Sequence, residues 1–316
     1  MAHEHALISS NITTTGDILM KILSPLFLIS SVLSAASLNL PAQAETVDCI
    51  PITSVPYTVT TQGIYCLTGN LATSMTSGYA IDIETNNVTL DLNGYKLGGL
   101  AAGLGTAAYG IHAGTSPGKE NITIKNGTIR GFRYGIVISG SGAVVQDIRA
   151  DGNTEYGIWV ANGTGALIQR NVVINTGGST ISSTGNAYGI FSAVQNSKVM
   201  DNLVSRLMPT GAGNAYGIAL TGGGGDGSVV DGNIVSEISK PAGGGASYGI
   251  YVAGVNLSGT IFRSEDIAVT NNKVAFMNYG IYYNTYASGI YANNLAMRCD
   301  TPFTGGTGAG TTNYSN

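Results

Sequence analysis

The sequence predicts an all-β, single-domain solenoid of parallel coils, and three observations carry that prediction. The tripeptide Tyr-Gly-Ile occurs seven times, beginning at Tyr109, Tyr134, Tyr156, Tyr188, Tyr216, Tyr248 and Tyr279, behind a degenerate copy Tyr79-Ala80-Ile81. The spacings of 30, 25, 22, 32, 28, 32 and 31 residues show a short obligatory unit with variable insertions, as when each repeat is one coil and extra residues bulge out as loops. A second signal recurs in phase with the first: a β-rich run ends near Asn93, Asn126-Gly127, Asp147, Asn171, Asn202, Asn233, Asn272 and Asn294. Finally, the apolar spacing of three and four that a helix needs is missing after Leu40.

Residues 1–44 differ from the rest. Lys21 is followed by an apolar run from Ile22 to Leu40 and by Pro-Ala-Gln-Ala, a small-x-small cleavage signal ending at Ala44. This reads as a secretory signal peptide over 20–44, preceded by a polar upstream extension. Translation is expected to begin at Met20, the alternative being Met1. An uncleaved anchor is the competing reading, against which stand Pro25 and the serines that interrupt the run. The protein is therefore expected to be secreted or periplasmic, with no transmembrane span in the mature chain.

Residues 45–78 precede the repeats and are expected to form an N-terminal cap. They hold Cys49 and Cys66, the expected disulfide of an exported chain, worth about 2–4 kcal/mol; Cys299 is left as a buried small hydrophobe or as the partner of either. Residues 79–296 carry the repeats, with no linker that would separate two cores. The shortest repeat shows the plan: Tyr156-Gly-Ile-Trp-Val, Ala166-Leu-Ile-Gln-Arg-Asn171 and Val172-Val-Ile-Asn175 are three short strands divided by Gly/Asn turns. Ile136, Ile138, Ile158, Val160, Ile250 and Val252 point inward from the first strand. Residues 297–316, rich in Gly and Thr, form a C-terminal cap or tail.

Three strands per coil and an amide at one tight corner resemble the right-handed parallel β-helix proteins, the superfamily that includes pectate lyases and carbohydrate-binding or sugar-hydrolase-type β-helix repeats. The resemblance spans roughly Gly63 to Tyr291 and implies about eight coils, right-handed connections and stacked Asn side chains. At about 4.8 Å per coil the rod would be roughly 40 Å long. The repeat type hosts many chemistries, so the resemblance implies no single activity.

Composition narrows the function. Charged residues make up 10% of the chain and the net charge is -4, which leaves no basic stripe for nucleic acid. In the first strand the residue after Ile faces outward, and these positions are His112, Val137, Trp159, Phe191, Ala219, Tyr251 and Tyr282. A row of rings on a rigid rod suits sugars, so His112, Trp159, Phe191, Tyr251 and Tyr282 are the expected ligand-binding residues and a polysaccharide or glycan the expected partner. Loops that cover the row, or aromatics serving as strand formers, are the competing explanation. Long Gly-rich loops before Ala187, Ala215 and Ser247 are expected to stack into a wall beside the row.

Signals for catalysis are thin. Asp201 and Asp231 are the carboxylates placed closest to a glycosidase pair, with Arg170 at the matching position one coil earlier; a ladder of surface ion pairs, Arg170 with Asp201 and Arg206 with Glu237, explains them more simply. No dense acidic cluster suggests Ca2+, no cofactor or metal is expected, and the one histidine after the leader, His112, argues against a His-based triad. Mannuronan epimerases of similar repeat carry Asp-Pro-His beside Tyr-Gly, a signature missing here. Two readings follow: an exported β-helix that binds a polysaccharide and, as an open extension, processes it by lyase or hydrolase chemistry; or a non-catalytic structural or adhesive envelope protein. Whether the chain is an enzyme is left open.

Overall fold

The computed structural model describes residues 48–316 apart from 115–117, 182, 184, 223–224, 239–242 and 310–311, so the expected leader over 20–44 lies outside the described residues. Among the described residues no helix is long and apolar enough to cross a membrane.

Stacking of the Tyr-Gly-Ile units dictates the architecture. Tyr79, Tyr109, Tyr134, Tyr156, Tyr188, Tyr216, Tyr248 and Tyr279 pair as Cα partners from one coil to the next, and so do the isoleucines two residues after each. These strands form one parallel sheet, the tyrosine sheet. A second sheet runs through Val88–Asp91, Leu167–Gln169, Lys198–Met200 and Val229–Asp231, and a third through Lys96–Gly98, Val172–Ile174, Leu203–Leu207 and Ile234–Ile238. Every pairing along the rod is parallel; among the described residues only Val255–Leu257 and Thr260–Phe262 pair antiparallel, as a projecting hairpin. The chain is a single-domain right-handed parallel β-helix.

Glycine at the middle of Tyr-Gly-Ile is enforced by space. A Cβ on Gly157 would lie 2.3 Å from Val173 Cγ1 and 2.7 Å from the Gly189 carbonyl oxygen; on Gly189 or Gly217 it would lie 2.5 Å from the next glycine's carbonyl. The glycine, inside its strand, leaves room for the neighbouring coil, and the isoleucine that follows lies in the interior. Ile81, Ile111, Ile136, Ile158, Ile190, Ile218, Ile250 and Ile281 are all fully buried, each contributing about 1.5–3 kcal/mol of apolar burial.

The corner between the second and third sheets resolves into two adjacent columns. Asn126, Asp147, Arg170, Asp201, Asn271 and Asn293 hold the left-handed conformation, with φ between 50 and 58°, and Gly232 fills the same role at 68°. One residue later a buried amide ladder runs Asn171, Asn202, Asn233, Asn272, Asn294, Asn313. Each of the first five donates from Nδ2 to the next Oδ1 at 2.9–3.2 Å. The backbone N–H of the same residue donates to that oxygen at 2.9–3.1 Å. The single recurrent corner expected from sequence thus merges two positions: Asn126 and Asp147 turn the backbone, whereas Asn171 onward satisfy it.

The three sheets extend past the tyrosine repeats at both ends. Tyr57–Val59, Gly63–Leu67 and Leu71–Ala72 pair with the tyrosine, second and third sheets, so residues 57–72 add a coil in phase with the repeats. At the other end Thr301–Thr304, Thr307–Gly308 and Tyr314–Ser315 continue the same three sheets. Cys49 and Cys66 form a disulfide, and Cys299 is free, its thiol pushed up to about 11 by burial.

Asn233→Ala leaves the Asn202 N–H and the Val199 carbonyl without their buried partner and is expected to destabilise by about 3 kcal/mol, against about 1 kcal/mol for the half-buried Asn126→Ala, which gives up asparagine's tolerance of the left-handed conformation and one bond to Asp91. Chemical denaturation of the two variants checks the comparison; equal losses would contradict the assignment of the two columns.

Candidate functional site

Because isoleucine points inward, the residue after it lies on the outer face of the tyrosine sheet, and these positions pair in register as Asp82, His112, Val137, Trp159, Phe191, Ala219, Tyr251 and Tyr282. The tyrosines of the repeat share that face. Their ring centroids follow one another at 4.4–5.1 Å from Tyr79 to Tyr279, and from Tyr156 onward successive rings lie within 6–12° of parallel. Trp159 stacks on Tyr156 at 4.9 Å, and Phe191 and Tyr282 meet Tyr188 and Tyr279 edge-on at 5.5 and 5.2 Å.

This packing changes the character of the row. Flat ring faces are spent on neighbouring rings, so the face presents ring edges and phenol hydroxyls. Trp159, Phe191, Tyr251 and Tyr282 are half-buried, and His112, Val137 and Ala219 are buried, at 5%, 7% and 0% exposure. The tyrosine ladder, which forms the other half of this surface, was read from sequence as a structural repeat only.

The Gly-Asn-Ala-Tyr-Gly-Ile hexapeptides now have a physical role. Asn186 Nδ2 donates to the Tyr188 hydroxyl at 3.1 Å and Asn214 Nδ2 to that of Tyr216 at 2.9 Å, so each loop pins the ring that follows it. Asn214 N–H donates to Asn186 Oδ1 and Ala246 N–H to Asn214 Oδ1, both at 2.8 Å, which stacks the loops coil on coil. Burial is the main cause of raised phenol pKa values on this face: Tyr134, Tyr188 and Tyr248 are pushed up to about 12, and Tyr156 and Tyr251 higher still.

His112 occupies a built site. Its Nδ1 lies 2.7 Å from Asp82 Oδ1, and its ring stacks on Tyr79 at 4.0 Å and 7°. The carboxylate accepts, so Nδ1 carries a proton. A cleft of about 140 Å³ is lined by Tyr109, His112, Val137, Ser139, Trp159 and Asn162, among others. His112 Nε2 and Trp159 Nε1 are both sealed from solvent without a hydrogen-bond partner. Asp82 escaped the sequence reading, although the degenerate Tyr79-Ala80-Ile81 places it at the head of the same row.

The weak catalytic candidates lie elsewhere, at the corner that ends the second sheet. Arg170 makes a two-pronged pair with Asp147, both bonds at 2.8 Å, where sequence suggested Asp201. Arg206 does pair with Glu237, at 3.1 Å. Asp201 and Asp231 do not share a column: Asp231 is in register with Met200, because Gly232 holds the left-handed position that Asp201 holds one coil earlier. The Asp231 carboxylate accepts from Thr270 Oγ1 at 2.6 Å and Asn271 Nδ2 at 2.7 Å, as a turn-stabilising group does. Among the described residues no group of three or more His, Cys, Asp or Glu could hold a metal ion.

Since the folded ladder favours the neutral phenol, its stabilisation is complete below the ordinary tyrosine pKa of 10.0 and lost as pH rises through about 12. Tyrosinate absorbance of the native protein is expected to show a component titrating near pH 12 that moves to about 10 in denaturant, with unfolding in the same window. A native titration complete by pH 10.5, on the scale where free tyrosine titrates at about 10, would contradict the packed ladder.

Comparison with known proteins agrees with the fold. The family model described as "Right handed beta helix region" matches residues 59–235. No curated protein matches the chain. Similar solved structures include the A-module of Azotobacter vinelandii mannuronan C-5 epimerase AlgE4, at 10% identity and TM-score 0.40 over 83% of this chain and 90% of that one. The Dettilon tailspike protein gp208 aligns at 11% identity and TM-score 0.41 over 84% of this chain and 62% of its own. A tailspike of E. coli bacteriophage HK620 in complex with a pentasaccharide aligns at 12% identity and TM-score 0.42 over 81% and 60%. With the family model covering more than half of its length and three parallel sheets stacked coil on coil, the chain belongs to the right-handed β-helix family.

Proposed function

We propose that this is an exported polysaccharide-binding protein that lays a glycan along the outer face of its tyrosine sheet. The observation that carries this reading is the unbroken ladder of eight tyrosines from Tyr79 to Tyr279, roughly 34 Å long at about 4.8 Å per coil. A linear polymer of hydroxyl-bearing rings is matched by a linear array of phenols and ring edges with apolar sides. Rigidity adds to affinity, because the rings are pinned by stacking and by Asn186 and Asn214 before any ligand arrives. The expected contacts along the row are His112, Trp159, Phe191, Tyr251 and Tyr282, joined now by the tyrosines. Polysaccharide chemistry, if it accompanies binding, belongs to the face and not to Asp201, Asp231 and Arg170, which already serve the turns.

The test is retention of the protein on a panel of immobilised neutral and acidic polysaccharides, beside a Tyr248→Ala, Tyr279→Ala double variant. Binding to at least one polymer, weakened about tenfold or more in the variant while its melting transition is kept, is the expected result. Failure of the protein to bind any polymer on the panel would overturn the reading and leave the rod as a structural element. Reducing ends and unsaturated products, assayed in the same samples, report any accompanying hydrolase or lyase reaction.

A further inference from the structure

The outer row is interrupted at Val137, and the interruption is shaped. Its neighbours on the rod are held away from it: His112 is fixed to Asp82 and stacked on Tyr79, both one coil before, while Trp159 stacks on Tyr156 of its own coil. Between them opens the cleft of about 140 Å³, floored by Val137, Ile138 and Ala161, with Tyr109, Ser139 and Asn162 at its margin. A water occupies about 30 Å³, so there is room for four or five waters or for one sugar ring with its substituents.

Resting on the glycan-binding face proposed above, we infer that this cleft is a subsite for a single neutral sugar residue, packed between the His112 and Trp159 rings with its hydroxyls at Tyr109, Ser139 and Asn162. Sugar hydroxyls both donate and accept, as the Tyr109 and Ser139 hydroxyls and the Asn162 amide at the margin do. A uronate would bring a second carboxylate beside His112, which is already paired with Asp82. No Lys or Arg is among the described residues lining the cleft, and Arg133, which lies over the Tyr134 ring, is paired with Glu155 at 2.6 Å.

Trp159 is the sole tryptophan of the chain, so its fluorescence reports this cleft directly. The protein is titrated with oligosaccharides of neutral hexoses (gluco-, galacto- and manno-) and of uronic acids, beside Val137→Phe, which places in the gap a ring of the kind the row already carries at Phe191. Expected are a saturable fluorescence change with at least one neutral series, none with the uronates, and loss of the change with about tenfold weaker binding in Val137→Phe. Polysaccharide retention with unmoved Trp159 fluorescence and unaltered Val137→Phe binding would overturn the subsite while leaving the face intact, and so would a preference for uronates. If Val137→Phe fails to fold, the titration of the unaltered protein still decides, since a silent Trp159 in a protein retained on a neutral polymer sinks the inference.

Discussion

Close approach of each Tyr-Gly-Ile glycine to the carbonyl of the next glycine along the rod sets the phase of everything else. A Cβ at any of Gly110, Gly135, Gly157, Gly189, Gly217 or Gly249 would come within 2.5–2.7 Å of that oxygen, so only glycine lets the coils sit at sheet spacing at this point of the strand. With the glycine fixed, the residue before it must leave the core and the residue after it must enter. One contact therefore yields both the fully buried isoleucine column and the tyrosine ladder on the opposite side. Insertions of different length between repeats are tolerated because they leave the chain and rejoin it at corners, where they do not alter this phase.

The amide ladder supplies the second constraint, and it acts where the first does not. From Asn171 to Asn294 each side chain links its own coil to a carbonyl of the coil before and to the oxygen of the amide after it, and Asn313 ends the run on the Tyr291 carbonyl, so that a turn without strand pairing leaves no donor stranded. Upstream, Ile148 takes the equivalent position and its N–H donates to Asn171 Oδ1. The ladder is thus closed at its leading end by an apolar residue whose backbone still finds a partner.

Much of this was legible because period and chemistry coincide: Tyr-Gly-Ile reports a close approach, an inward residue and an outward one in three letters. Less legible was anything set by a one-residue phase. Asp201 and Asp231 look equivalent when both are counted as lying just before an asparagine, yet Gly232 shifts Asp231 to the position of Met200. Arg170 could reach either neighbouring coil, and only packing selects Asp147. Asp82 was hidden by a degenerate tripeptide, since Ala80 replaces the glycine that marks every other copy. The orientation of the rings was illegible for another reason: alternation says which side a ring is on, whereas stacking on the previous coil decides whether its face or its edge meets solvent.

The same logic explains why two gaps in the row behave differently. Val137 and Ala219 are both small residues between rings. At Ala219 the next ring, Tyr251, lies 5.0 Å from Tyr216 as well as 4.9 Å from Tyr248 of its own coil, and Ala219 is left with no exposure. At Val137 the following ring, Trp159, stays on Tyr156, and the preceding one, His112, is drawn to Asp82 by a 2.7 Å hydrogen bond. A carboxylate at the head of the row thus acts two coils on, at Val137: by holding the imidazole back, Asp82 keeps open a cleft that a freely packing ring would fill. The cleft is a consequence of electrostatics at one end of the ladder, and its polar wall and its volume come from the same bond.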